Sequence, residues 1–179
     1  MDNKVIATSW TTDSEDVDLG TEDLLARVRS VLDGEDMCVL GTLEGCGSRL
    51  TPCFFGALRD LGLVFVSSRG SRHVRNMEAD RRCSALVVIP PAGDGSRLVS
   101  LQVIGRVCEP RGRRRLAALR AFAGRAASHL PAAASGISKL MDKRVFVLEP
   151  DRIEFLDTGL SRESIVLRRG WQDMERDAA

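Results

Sequence analysis

The chain has no tyrosine, only two histidines, and a net charge of +1 over its 179 residues. Each scarcity removes a class of function. Without a basic excess, bulk nucleic-acid binding is not expected. His73 and His129 stand far apart, so a histidine-rich zinc centre is excluded, and no Cys/His spacing supports a mixed one. Aromatic stacking has to come from six phenylalanines and two tryptophans. The cysteines, Cys38, Cys46, Cys53, Cys83 and Cys108, are odd in number and include no CxxC pair. They read as small core residues in a reducing compartment. No apolar run reaches bilayer length and no charged-then-apolar signal opens the sequence, so the expectation is a cytoplasmic protein that engages no membrane.

What is present is the material of one globular domain. A chain this long buries about 70% of the surface its unfolded form exposes, so it needs neither disulfide nor metal to hold a core. Residues 1–20 show no sustained period and read as a mobile arm whose Trp10 could dock on a neighbour, leaving 21–179 as the folded domain. TEDLLARVRSVLDG, residues 21–34, carries Leu24, Leu25, Val28, Val31 and Leu32 at helical spacing, with Thr21 as the expected N-cap and Gly34 as the stop. The period then changes. MCVLGTLE, SRLTPCFFGAL, LGLVFVSS, RRCSALVVI and RLVSLQVIGRV are strand-like, with hairpin turns expected at GCG (45–47) and RDLG (59–62). Residues 110–141 read as helical with an interruption near Pro131, after which KRVFVLEP, DRIEFLD and ESIVLRRGW return to strands. Six or more antiparallel strands with helices inserted between them predict a mainly β, α+β fold: a barrel with peripheral helices.

The densest chemistry lies in LVFVSSRGSRHVRNM, residues 63–77, where a strand hands over to a helix. Ser67, Ser68, Ser71 and Arg72 there combine hydroxyls, free helix amides and a cation, which suits an anion, phosphate above all. Arg69 and Arg75 could add to it. The plainer alternative is that Ser71 only caps a short helix while the arginines face water. Two other motifs carry less. GCGSRL lacks the third glycine of a nucleotide fingerprint and sits between strands. RGRRRLAALR, residues 111–120, reads as the solvated face of a helix whose apolar side uses Leu116, Leu119 and Phe122. His129 reads as a helix-end residue near late carbonyls, and no spacing joins either histidine to a serine or cysteine in a triad.

Taken together, residues 24–171 resemble the split-barrel flavoproteins, the superfamily of pyridoxamine-phosphate oxidase. The features that carry the likeness are the hairpin GTLEGCGSRLTPCFFGALRDLGLVFVSS, the turn-helix RGSRHVRNMEADRRCSALVV, the strand LQVIGRV and the late run RVFVLEPDRIEFLD. SRHVRNM, LQVIG and IEFLDTGLSRESIVLR bring it nearer to an uncharacterised bacterial branch. The resemblance implies a dimeric split barrel with FMN at the subunit interface. Ser67 and Ser68 would face the ribityl-phosphate, and Arg72 and His73 would meet the phosphate. Thr51, Pro52, Cys53, Phe54 and Phe55 would run along the flavin by their backbone, and Gln102, on the strand face of Ser100, would reach the ring from the partner. It also implies an FMN-dependent oxidoreductase acting on a small molecule. Relatives of the fold leave open a deazaflavin, a haem held by His73, His129 or a cysteine, or a cofactor-free, non-enzymatic dimer. The departures tell against the vitamin B6 reaction. Thr51 stands for an arginine, His73 for a lysine and Leu156 for a tryptophan over the flavin, and the region around LSRES replaces the substrate motif.

Overall fold

The five apolar residues of 21–34 do fold as one helical stripe. Helix α1 spans Thr21–Gly34, and Leu24, Leu25, Val28, Val31 and Leu32 are its buried residues. Its N-cap is Gly20 rather than Thr21, which is already helical; no side chain caps this end, and Glu22 and Asp23 place negative charge at the positive pole of the helix. The computed structural model describes residues 10–12, 19–89, 91, 97–126 and 143–170. His129, Pro131 and Trp171 lie outside the described residues. No helix described is long and apolar enough to cross a membrane.

Among the described residues, nine strands follow the alternation of the sequence: β1 Trp10–Thr12, β2 Met37–Glu44, β3 Gly47–Phe54, β4 Gly56–Ala57, β5 Leu63–Ser67, β6 Arg82–Ile89, β7 Val99–Cys108, β8 Arg144–Asp157 and β9 Ile165–Arg169. Helix α2, Arg72–Ala79, joins β5 to β6, and α3, Gly112–Ala126, follows β7. All pairings are antiparallel, in the order β1-β9-β8-β7-β6-β2-β3, while β5 pairs with both β4 and β8. The fold is therefore mainly β with peripheral helices, an open sheet of the split-barrel kind.

Two hydrophobic layers flank β5 and β8. Leu63, Phe65, Phe146 and Leu148 face the main core with α1, whereas Val64, Val145 and Val147 face Leu119 and Phe122 of α3. The basic run at 111–120 does form a helical face, but Leu116, expected on its apolar side, is 45% exposed. Arg114 of that run reaches Asp60 and Glu149.

Three expectations need correction. Within the supposed arm, Trp10–Thr12 adds a strand to β9, and Trp10 is buried in the main core; a large apolar ring gains more from burial there than from solvent. KRVFVLEP and DRIEFLD are one strand, not two. The ladder shifts register between Ile104 and Gly105, pairing Ile104 with Arg152 and Gly105 with Pro150, so Asp151 is the extra residue of a β-bulge. The bulge accommodates a proline inside a sheet, and glycine at 105 permits it: a Cβ there would lie 1.9 Å from the Glu149 carbonyl oxygen. SRLTPCFFGAL, finally, divides into β3 and β4, with Phe55 between them anchored by its backbone N–H on the Asp36 carbonyl at 2.9 Å.

Candidate functional site

Strand β5 ends on Ser67, whose side chain turns inward, and the chain bends through Ser68, Arg69 and Gly70 into α2. The Ser67 hydroxyl lies 2.6 Å from Nε2 of His73, and the Ser71 hydroxyl lies 3.3 Å from the same nitrogen. Ser71 occupies the N-cap position, yet its hydroxyl donates to the Ser68 carbonyl at 2.9 Å and caps nothing. The plain-cap reading of Ser71 therefore does not describe its contacts, and the first amides of α2 have no side-chain cap. Arg75 braces the turn by donating to the Gly70 carbonyl at 2.7 Å. Beneath it, Asn76 donates to the Thr42 hydroxyl at 3.1 Å, both side chains buried, which ties α2 to β2.

Residues distant in sequence complete the corner. Arg72 pairs through Nε with Glu44, at the end of β2, and Arg49 of β3 stands 3.6 Å from the other oxygen of that carboxylate. Lys143, just before β8, donates from Nζ to the Ser68 hydroxyl at 3.0 Å. Its presence follows from β8 pairing with β5 in the register that sets Arg144 opposite Ser67. Three cations thus gather at the turn with one carboxylate: Arg49 and Arg72 on Glu44, and Lys143 on the Ser68 hydroxyl. The hydrogen bond from Arg72 is the main reason the Glu44 carboxyl is held below the usual carboxylate range. His73 is different in kind: burial first, and then the charge of Arg49, push its pKa below the ordinary imidazole value of 6.5. It is a neutral partner of two hydroxyls at neutral pH. Nothing in the local sequence marks Glu44, Arg49 or Lys143 as neighbours of this turn, and the sequence reading missed all three.

The remaining site residues fall into two places. Arg49 brings the start of β3 to the corner, and Thr51, Pro52, Cys53 and Phe54 continue along that strand, which among the described residues pairs only with β2. Phe55 is 1% exposed and belongs to the core, so only its backbone could serve a ligand, and its N–H is already used. Gln102 is exposed on β7. Registers place it in one row with Leu86, Val39 and Pro52, three strand spacings from β3, or roughly 14 Å at the usual interstrand distance. Within one chain, then, Gln102 and β3 do not meet. The sheet face between them carries several exposed apolar side chains, with Arg82, Arg106 and Asp151 along one side. Met37, Leu43, Leu50 and Val88 are all more than a third exposed, Leu50 at 69%, and a cleft of about 520 Å³ opens there beside Gly41, Ser84 and Ile104.

Comparison with known proteins bears on the fold and the family. No curated protein matches the chain. Among solved structures, a haem-binding protein from Mycobacterium smegmatis superposes with a TM-score of 0.65 at 23% identity, covering 78% of this chain and 55% of its own. The chain thus spans about half the length of that relative. A FAD-binding protein from Mesorhizobium loti gives a TM-score of 0.57 at 17% identity, with 88% and 97% covered. A haem storage protein from Vibrio cholerae gives 0.53 at 17% identity, with 70% and 88% covered. At these identities the likeness establishes the fold alone. The sequence model of the family described as pyridoxamine 5'-phosphate oxidase matches residues 24–157, three quarters of the chain and every element from α1 to β8, and the chain belongs to that family.

Proposed function

We propose that the chain binds FMN, with the phosphate at the corner formed by Ser67, Ser68, Ser71, Arg72 and His73, and works as a flavin-dependent oxidoreductase on a small molecule. The observation that carries this reading is the charge balance of that corner. Three cations against one carboxylate leave a surplus of positive charge beside hydroxyl donors and uncapped helix amides, which suits a phosphate dianion. Arg72 would leave Glu44 for the phosphate, and Lys143 would supply the charge that a lysine at position 73 supplies in pyridoxamine-phosphate oxidase proper. A bound flavin brings the electron-transfer chemistry; the chain's residues hold, orient and shield it. Thr51 to Phe54 would lie along the flavin. No residue is assigned a catalytic role.

The reading includes a homodimer. Gln102 lies too far from β3 to share a ring with it in one chain, so its part in the site requires a second copy. The exposed apolar side chains between the two mark the surface that an isologous partner would cover. Gln102→Ala should perturb the bound flavin's spectrum more than its affinity.

The deciding experiment is the visible absorption spectrum of purified protein mixed with FMN and passed through gel filtration, with riboflavin in parallel. A retained two-band spectrum with FMN and weak retention of riboflavin is expected. Passage of both unbound overturns the reading and favours the cofactor-free dimer. A second reading, haem binding, is supported by the haem-binding and haem-storage proteins that share the fold. Among the described histidines its axial ligand would be His73, whose Nε2 would first have to leave Ser67. A Soret band on titration with haemin selects it, and deazaflavin retention in place of FMN selects that cofactor.

A further inference from the structure

Cys38 and Cys53 are 15 residues apart and inconspicuous in sequence, but the hairpin of β2 and β3 sets them directly opposite one another. Their sulfurs are 3.5 Å apart. Opposed residues of antiparallel strands have Cα atoms about 4.5–5.5 Å apart, inside the span of about 4.4–6.8 Å that a disulfide bridges. Closing the sulfurs to about 2.05 Å therefore needs side-chain rotation and no movement of the backbone.

The two thiols are not equivalent. Cys38 is 4% exposed in the main core, while Cys53 is half-buried on the end strand of the sheet. Once one sulfur ionises, the remaining S–H donates to it. The hydrogen bond from Cys38 lowers the Cys53 pKa, while that shared contact and burial raise the Cys38 pKa far out of range. As the accessible member of the pair, Cys53 is the nucleophile and the core-buried Cys38 the resolving thiol. The other cysteines lack this arrangement. Burial pushes Cys83 and Cys108 up to about 12, and Cys46 is exposed at the hairpin turn, away from both.

We propose that Cys38 and Cys53 form an oxidisable dithiol, a modification site that hydroperoxides convert to an intrachain disulfide pinning the end strand β3 to β2. The Cys53 thiolate attacks one peroxide oxygen, the O–O bond breaks, and Cys53 becomes a sulfenic acid as hydroxide or alkoxide leaves. The Cys38 sulfur then attacks the Cys53 sulfur. The S–S bond forms, the S–O bond breaks, and the Cys38 proton departs with the oxygen as water. Two thiols lose two electrons and two protons, and the hydroperoxide is reduced to water or alcohol. Cys53 belongs to the segment that the flavin reading lays along the cofactor, but neither step needs a flavin, so the dithiol is tested on protein free of added FMN.

The test is to treat the purified full-length protein with hydrogen peroxide, alkylate it under denaturing conditions, and map the cysteines by mass spectrometry. The expected product is a monomer lighter by two hydrogens, with Cys38 and Cys53 linked and protected from alkylation and both recovered after dithiothreitol. It should also unfold at higher temperature than the reduced protein, because the link closes a loop in the unfolded chain. Cys53→Ser should abolish the link and leave Cys38 fully alkylated. Stable sulfinic acid on Cys53 with Cys38 still alkylated, or a link from either residue to Cys46 or Cys83, overturns the proposal. The wild-type map decides even if the variant fails to fold.

Discussion

The two ends of helix α2 both gather arginines and carboxylates, and they differ in how the central arginine is held. At the amino-terminal end Arg49 and Arg72 share the single carboxylate of Glu44, and Lys143 reaches the Ser68 hydroxyl, beside a neutral His73. At the other end Arg144 pairs with two carboxylates, Glu78 and Glu109, and lies over the ring of Phe146 at 5.1 Å, with Arg81 and Arg111 lining the cleft beside it. That cleft measures about 390 Å³, so this end too has room, but Arg144 is already satisfied. A cation held by two carboxylates welds β8 to α2 and to the chain after β7. What separates the two corners is how the central arginine is held: Arg144 is 15% exposed between two carboxylates, whereas Arg72 is 61% exposed on one and free to turn to a ligand.

Five measurements would break or sharpen that contrast. Arg72→Ala should weaken FMN binding by about 1.5–3 kcal/mol, the range for a hydrogen bond to a charged group, and leave urea unfolding nearly unchanged because the side chain is 61% exposed. Equal affinities in a fluorescence titration would remove Arg72 from the site. Arg144→Met should do the reverse, costing about 1–2 kcal/mol of stability for a screened ion-pair network and a cation–π contact, with FMN affinity unmoved. A large loss of affinity there would mean that the two ends are not distinct. Lys143→Gln should weaken FMN by about 1 kcal/mol, as expected for one exposed, screened charge, and leave riboflavin untouched. Glu44→Gln should tighten FMN by releasing Arg72. The smallest effect is a pH dependence. Because the folded pKa of His73 lies below its ordinary value, the unfolded chain binds the proton first. Its stabilising contribution is therefore complete above about 6.5 and falls as pH drops through that value. His73→Asn should flatten this part of the pH profile of thermal unfolding, and an unaltered slope would assign it to another group.

Much of the fold was legible because it depends on local spacing. The apolar stripe of α1 was read to the residue, and β7 buries Leu101, Val103 and Val107 on one face while Gln102 and Arg106 stay exposed on the other. The readings that failed did so where a distant partner altered a local signal. The Glu-Pro-Asp run at 149–151 looks like a strand end, but Gly105 across the ladder lets it be a bulge. Trp10 sits in a stretch with no period and is buried all the same, because β9 offers it an edge. Leu116 fits the helical period of α3 and still lies outside the contact made by Leu119 and Phe122.

The candidate site divides in the same way. The sequence by itself determined that hydroxyls, a cation and a helix start would coincide at Ser67 to His73, because adjacent residues at a strand-to-helix turn have nowhere else to go. Only the tertiary structure decided that Arg49 and Lys143 would join them, that Glu44 would hold Arg72, and that Cys38 would meet Cys53. Those meetings depend on the register of β2 on β3 and of β5 on β8. Register is set by which faces the whole sheet buries, a property of all the strands together that no local window contains.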